Sequence, residues 1–224
     1  MLEPLRYCAD LLHLVAIYLL VYRVYSTKSC RGLSYRTQEI YLVVFLSRYG
    51  FSFFSSFHNH YATIMKTLFI LGTILTLYLI KLKRPHCLTY ESMHDKLPHY
   101  YTIYPLAAIL TLVFHVAISS SIFKIYLWSF SIVLEAFALL PQLHMLRQVS
   151  DLEVFSAKYV LCLGLYRLLY IFTWDQRMLF EFEPVKNYLY FEMAFGILQT
   201  MLLADFCMNL IRHSREKKII SIPI

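Results

Sequence analysis

The sequence predicts an all-α membrane protein of seven transmembrane helices, and three observations predict it. Of 224 residues, 59% are hydrophobic, 17% aromatic and only 16% charged, against about 25% charged in an ordinary soluble domain. That apolar surplus gathers into seven stretches, most of them near the roughly 20 residues that cross a bilayer. Polar connections separate them, as expected where each crossing element must satisfy its own backbone groups internally.

The first stretch covers residues 5–24. Its run from Leu11 to Val24 has the length of a signal-peptide core, but no small-residue cleavage site follows; Arg23, Lys28 and Arg31 do, so it reads as a retained helix. The second and third cover 38–57 and 64–80, joined by a short turn with His58 and His60. The connection from Lys81 to Tyr100 is longer, and its Pro85, Pro98 and mixed charges mark it as solvated. The last four stretches are 101–118, 122–146, 155–173 and 188–211. Residues 1–224 thus read as one seven-helix domain with a short tail from about 212.

Lys and Arg near helix ends lie mainly on the cytosolic side. One set of alternate connections collects Arg23, Lys28, Arg31 and Arg36; Lys81, Lys83, Arg84 and Lys96; Arg147 and Lys158; and Arg212, Arg215, Lys217 and Lys218. The other holds Arg6, Lys66, Lys124, Arg177 and Lys186. The N-terminus is therefore expected to be luminal or extracellular and the C-terminal tail cytosolic.

Two basic residues, Arg48 and Arg167, belong to neither set. Shifting the sequence by 119 residues lays Thr37 on Ser156, Arg48 on Arg167 and Leu19-Leu20 on Ala138-Leu139. The sixth helix lies four places after the second, an even step, so both run the same way, the repeat is parallel and the architecture reads as three plus one plus three. At 1.5 Å per residue each arginine lies about 15 Å into its helix, near the middle of a core about 30 Å thick.

An arginine at that depth costs about 2.5–3.5 kcal/mol on the insertion scale, so each needs an anion. Asp10, Glu135, Glu192 and Asp205 are acids within the stretches that could serve. Either these pair with the arginines inside the bundle, or an anionic ligand is held by bidentate, charge-assisted hydrogen bonds. Tyr49, Tyr166 and Tyr170 flank the arginines and offer further donors.

Other chemistries find little support. The five cysteines are scattered and odd in number, with no CxxC pair. His58 and His60 lack a third ligand, and His86, Cys87, His94 and His99 fit no zinc spacing. No catalytic arrangement or glycine-rich phosphate loop is present, so neither an enzyme nor a cofactor is expected. The net charge of +7 sits at helix ends without a nucleic-acid motif; membrane lipid, not nucleic acid, is the expected surrounding.

Six stretches resemble the KDEL receptors: Asp10-Leu-Leu-His13-Leu, Ser47-Arg48-Tyr49, Leu127-Trp128-Ser-Phe-Ser131, Leu139-Leu-Pro141-Gln142-Leu143, Gly164-Leu-Tyr166-Arg167 through Tyr170, and Ala204-Asp205-Phe206. They cover nearly the whole chain in order; the Pro-Gln-Leu element alone is shared with PQ-loop and sugar-transporter relatives. The resemblance implies a receptor in ER and Golgi membranes. Such a receptor binds the C-terminal tetrapeptide of escaped luminal proteins in the Golgi and returns them to the ER in retrograde vesicles.

By the same resemblance Arg6, Arg48, Tyr49, Arg167 and Arg177 serve the anionic part of the signal, with Trp128 and Trp174 beside them and Tyr170 facing the same cavity. His13 matches the proton sensor, and Tyr166 and Glu135 its switch partners. Phe51 and Ile125 stand where relatives carry acids associated with the basic first residue of the signal. The segment from Phe180 to Asn187 is longer than in relatives. Asp205 and the Lys217-Lys218 pair resemble elements that bring the tail to the retrograde coat, although a plain stop-transfer cluster reads the lysines equally well. A small-solute transporter of the parallel-repeat fold and an interaction protein with merely paired arginines are the competing readings.

Overall fold

The computed structural model describes residues 3–55, 60–117, 123–148, 157–180 and 183–220; the side chains of Phe51, Lys217 and Lys218 and all of His58 lie outside the described residues. Described are eight α-helices and no strand: α1 (Glu3–Thr27), α2 (Tyr35–Ser55), α3 (His60–Lys81), α4 (Ile103–Ala117), α5 (Phe123–Phe137), α6 (Leu140–Leu146), α7 (Ala157–Phe180) and α8 (Glu183–Ile220), with a 3-10 turn at His86–Thr89.

Four spans among the described residues are long and apolar enough to cross a membrane: Pro4–Thr27, His60–Lys81, Ile125–Met145 and Tyr188–Arg212. The apolar part of α4, Ile103–His115, is shorter. Helices α2 and α7 have 21 and 24 residues, but they carry Arg48 and Arg167 together with other charged groups and fall outside the four. The helices that bear the buried arginines are thus the less lipid-like ones.

The expected helix at 122–146 is broken. Its α5 part ends at Phe137, Ala138 and Leu139 form a turn, and α6 starts at Leu140. Pro141 explains the break, because it has no N–H and its ring crowds the carbonyl four residues back, at Phe137. The chain tightens there, with the Ala138 N–H donating to Glu135 O at 3.2 Å. The repeat partner of this turn, Leu19-Leu20, runs unbroken through α1. Helix α8 also extends beyond the apolar stretch 188–211 at both ends.

Helix α1 packs on α3 and α7, α2 on α3 and α5, α4 on α5, and α8 on α5 and α7. One core, around Ala16, Leu20, Leu79, Leu163 and Phe206, joins α1, α3, α7 and α8. A second, around Val44, Phe45, Phe69, Ile103 and Val133, joins α2, α3, α4 and α5. Gly72 permits the close approach of α1 and α3, since a Cβ there would lie 2.7 Å from the stiff Ile17 side chain. Polarity is inverted relative to a soluble fold: Leu11, Ile64, Leu71, Ile109 and Val113 are exposed, whereas His13, Glu135, Gln142 and Arg167 are buried. Lipid-facing surfaces and functional interiors produce that inversion.

One end of the bundle is tied together by Gln142, the residue after Pro141. Its Oε1 accepts the Ser34 N–H at 2.8 Å, its Nε2 donates to Gly32 O at 2.6 Å, and its own N–H donates to Thr37 Oγ1 at 3.0 Å. Gly32 has φ 76°, a left-handed conformation that suits glycine. Thus one glutamine side chain, placed by the helix break, ties α6 to the α1–α2 connection.

Candidate functional site

Helix α5 presents Trp128, Ser131 and Glu135 at spacings of three and four, which places them on one face. Arg48 of α2 meets that face: its Nε donates to Ser131 Oγ at 3.0 Å and an Nη to Glu135 Oε2 at 2.5 Å. Its guanidinium carbon lies 5.6 Å from the Trp128 ring centroid. From α7, Arg167 donates to the other oxygen, Glu135 Oε1, at 2.9 Å, and Gln199 of α8 adds a 3.3 Å bond to the same atom. One buried carboxylate therefore bridges two arginines from different helices, through hydrogen bonds of the strong, charge-assisted kind. The trio keeps one positive charge in excess, and the buried Arg167 Nε has no hydrogen-bond partner.

Arg48, Trp128, Glu135, Arg167 and Gln199 line a cavity of about 90 Å³ together with His13, Tyr49, Tyr170, Trp174 and Glu192. At roughly 30 Å³ for each water in the liquid, that volume holds a few waters and not a tetrapeptide, so a larger ligand requires the helices to part. Trp128 Nε1 donates to Glu192 Oε1 at 2.8 Å, and Arg177 stands 4.0 Å from Glu192 Oε2. Asp10 accepts the Tyr170 hydroxyl, and the Tyr61 hydroxyl at 3.3 Å. His13 lies flat on Tyr166, 4.2 Å between centroids and 3° between planes, with Phe69 5.0 Å away.

Of the residues singled out in the sequence, Arg48, Tyr49, Trp128, Arg167, Tyr170, Trp174, His13 and Glu135 meet around this cavity. Tyr166 stands behind His13. Arg6 is exposed near the start of α1, 5.5 Å from the Tyr7 centroid, and Arg177 reaches the cavity through Glu192. Ile125 is partly buried on α5, one turn before Trp128. Asp205 lies 3.7 Å from Arg147, both well exposed, linking α8 to the end of α6. The pairing of arginines with acids inside the bundle, one of the two expectations, is present in this site, with Glu135 serving both.

Ser131, Gln199 and Gly196 escaped the sequence reading. A Cβ at Gly196 would run into the Trp174 indole, so its lack of a side chain sets where that wall stands. Ser131 carried a weak signal, three residues beyond Trp128; Gln199 and Gly196 carried none. Among the described residues no group of three or more His, Cys, Asp and Glu is placed to hold a metal ion.

Fold and site together define a multi-span helical membrane protein with a charged, aromatic-walled internal cavity. The sequence pattern of the ER lumen protein retaining receptor family matches residues 29–177. An ER lumen protein-retaining receptor of Plasmodium falciparum is 39% identical over 203 residues, 90% of this chain and 88% of that one. One of Caenorhabditis briggsae is 38% identical over 203 residues, 90% and 89% of the two chains. Human ER lumen protein-retaining receptor 2 is 36% identical over 220 residues, 97% of this chain and 98% of the human one. The chain belongs to the ER lumen protein-retaining receptor family, a family of receptors and not of enzymes.

Proposed function

We propose that this chain retains ER luminal proteins by binding their C-terminal tetrapeptide in the Golgi at mildly acidic pH and carrying them back to the ER for release. Family membership supports the retention role and residence in ER and Golgi membranes. The observation that carries the tetrapeptide reading is the Glu135 carboxylate shared by Arg48 and Arg167. A site that already holds one carboxylate between two guanidinium groups has the donors for another. In this reading Arg48 takes the terminal carboxylate, Arg6, Arg167 and Arg177 serve the acidic side chains or organise their site, and Trp128 and Trp174 pack on the peptide. Replacement of two family acids by Phe51 and Ile125 shifts preference at the first signal position from basic to apolar or aromatic residues.

The proposed membrane arrangement has seven spans, counting α5 and α6 as one, in a three plus one plus three parallel repeat, with a luminal N-terminus and cytosolic C-terminus. The basic connections support that orientation. Lys217 and Lys218 then face the retrograde coat, with Asp205 linking the tail to the bundle; changing both lysines to alanine is expected to shift the receptor toward the Golgi, and an unaltered distribution would reduce them to a stop-transfer cluster.

His13 supplies the proton sensitivity. If the ligand-holding arrangement binds a proton on His13 more tightly than the ligand-free one, binding takes up that proton, and affinity is gained as pH falls and lost as it rises. A single group limits the response to tenfold per pH unit, about 1.36 kcal/mol. The test is tetrapeptide binding from mildly acidic to neutral pH. Wild type is expected to bind the free acid, to bind the C-terminal amide far more weakly, and to lose affinity as pH rises. Arg48→Ala abolishes free-acid binding, and His13→Ala flattens the pH profile. Equal binding by Arg48→Ala and wild type would overturn the carboxylate assignment; an unchanged pH profile in His13→Ala would remove His13 from the mechanism.

A further inference from the structure

A second, larger cavity lies at the other end of α2. It opens beside the α3–α4 connection, near Tyr35, and the chain from there to Arg48 climbs about 20 Å of helix. Its volume is about 510 Å³, within the roughly 300–1,000 Å³ of small-ligand sites. Three cations, Arg36, Lys81 and Lys96, line it, against two carboxylates, Glu39 and Asp95.

The carboxylates are occupied by the wall itself. Asp95 accepts the Ser34 hydroxyl at 2.9 Å, the Arg36 N–H at 3.2 Å and the Tyr90 hydroxyl at 2.8 Å. Glu39 accepts the Tyr100 hydroxyl and lies 3.0 Å from His99 Nε2. Burial, with the charge and hydrogen bond of Asp95, holds the Tyr90 phenol well above its ordinary range. The hydrogen bond to Glu39, more than burial, pushes Tyr100 up to about 12. Both phenols therefore stay neutral donors bound to the acids.

The cations are held less tightly. Lys96 is exposed, Lys81 Nζ rests 4.7 Å above the Tyr35 ring, and Arg36 gives one Nη to the Leu97 carbonyl. Lys83 and Arg84, both exposed, extend the positive surface past the end of α3. Tyr100 and Tyr101 stand on the rim, 56% and 86% exposed, at a helix end, where aromatic rings sit at headgroup level. A roomy pocket at that level, lined by more cations than carboxylates and with its acids already hydrogen-bonded to the wall, suits a compact anion.

We propose that this cavity binds a phosphate monoester, presented on a phosphorylated lipid headgroup or free in solution. The proposal goes beyond the peptide site and does not depend on it. The probes are short-chain phosphatidylinositol 4-phosphate, the same lipid without its 4-phosphate, and inorganic phosphate, titrated against the purified full chain. The phosphorylated lipid is expected to bind at least about tenfold more tightly than the unphosphorylated one, and K81Q/K96Q to lose about that factor. K81R/K96R keeps the affinity, and both double variants keep wild-type thermal unfolding and tetrapeptide binding. Competition by inorganic phosphate at matched concentration supports the free anion as the source, and its failure to compete supports the headgroup. Equal affinity for the two lipids in wild type, or undiminished affinity in K81Q/K96Q, overturns the proposal.

Discussion

The two ends of this bundle are tied together by different chemistry. At one end Gln142 bonds to main-chain groups of Gly32 and Ser34 and to Thr37, neutral contacts to positions the backbone fixes. At the other end the ties are side chain to side chain and charged, with Glu135 between Arg48 and Arg167, Glu192 between Trp128 and Arg177, and Asp10 with Tyr170. A ligand with a carboxylate can replace Glu135 on an arginine, but no ligand group readily replaces a backbone carbonyl held by a buried glutamine.

The largest way to break that contrast is Gln142→Ala. It strips partners from the Ser34 N–H and the Gly32 carbonyl, at about 1–3 kcal/mol for each buried group left unpaired. Thermal unfolding in detergent should drop markedly, while the folded fraction binds tetrapeptide with unchanged affinity. A stable variant with impaired peptide binding would show that the two ends are not separate in function.

Gly196→Ala acts at the opposite end. The new methyl meets the Trp174 indole, and overpacking of this kind costs about 1–3 kcal/mol. Because Trp174 is a cavity wall, the expected result is weaker tetrapeptide binding that Trp174→Phe, with its smaller ring, partly restores in the double variant. Normal binding by Gly196→Ala would mean that Trp174 does not shape the site. Smaller still is the effect at the first signal position, where peptides differing only there should favour phenylalanine over lysine by less than tenfold, or about 1.4 kcal/mol. A strong lysine preference would contradict the reading of Phe51 and Ile125.

Much of this was legible in the residues. Hydrophobic stretches announce helices wherever lipid is the solvent, and a lone arginine in such a stretch announces an interior, which is why Arg48 and Arg167 stood out. The break at Pro141 was written in the sequence yet masked by the apolar run continuous across it. What the sequence hides is which helix faces which. That Glu135 serves both arginines, that Gly196 makes room for Trp174, that Arg147 approaches Asp205 and that Gln142 reaches Gly32 are all contacts between helices, and periodicity within one helix carries no trace of them.

The central claim is that Glu135 occupies the arginines in a way a ligand carboxylate can take over. Affinity of a free-acid tetrapeptide for wild type and for Glu135→Gln tests it most directly. A charge-assisted hydrogen bond contributes about 1.5–3 kcal/mol, so removing the internal competitor while keeping its shape should tighten binding by about tenfold or more, with no such gain for the amidated peptide. Equal or weaker binding of the free acid by a folded Glu135→Gln would contradict the account.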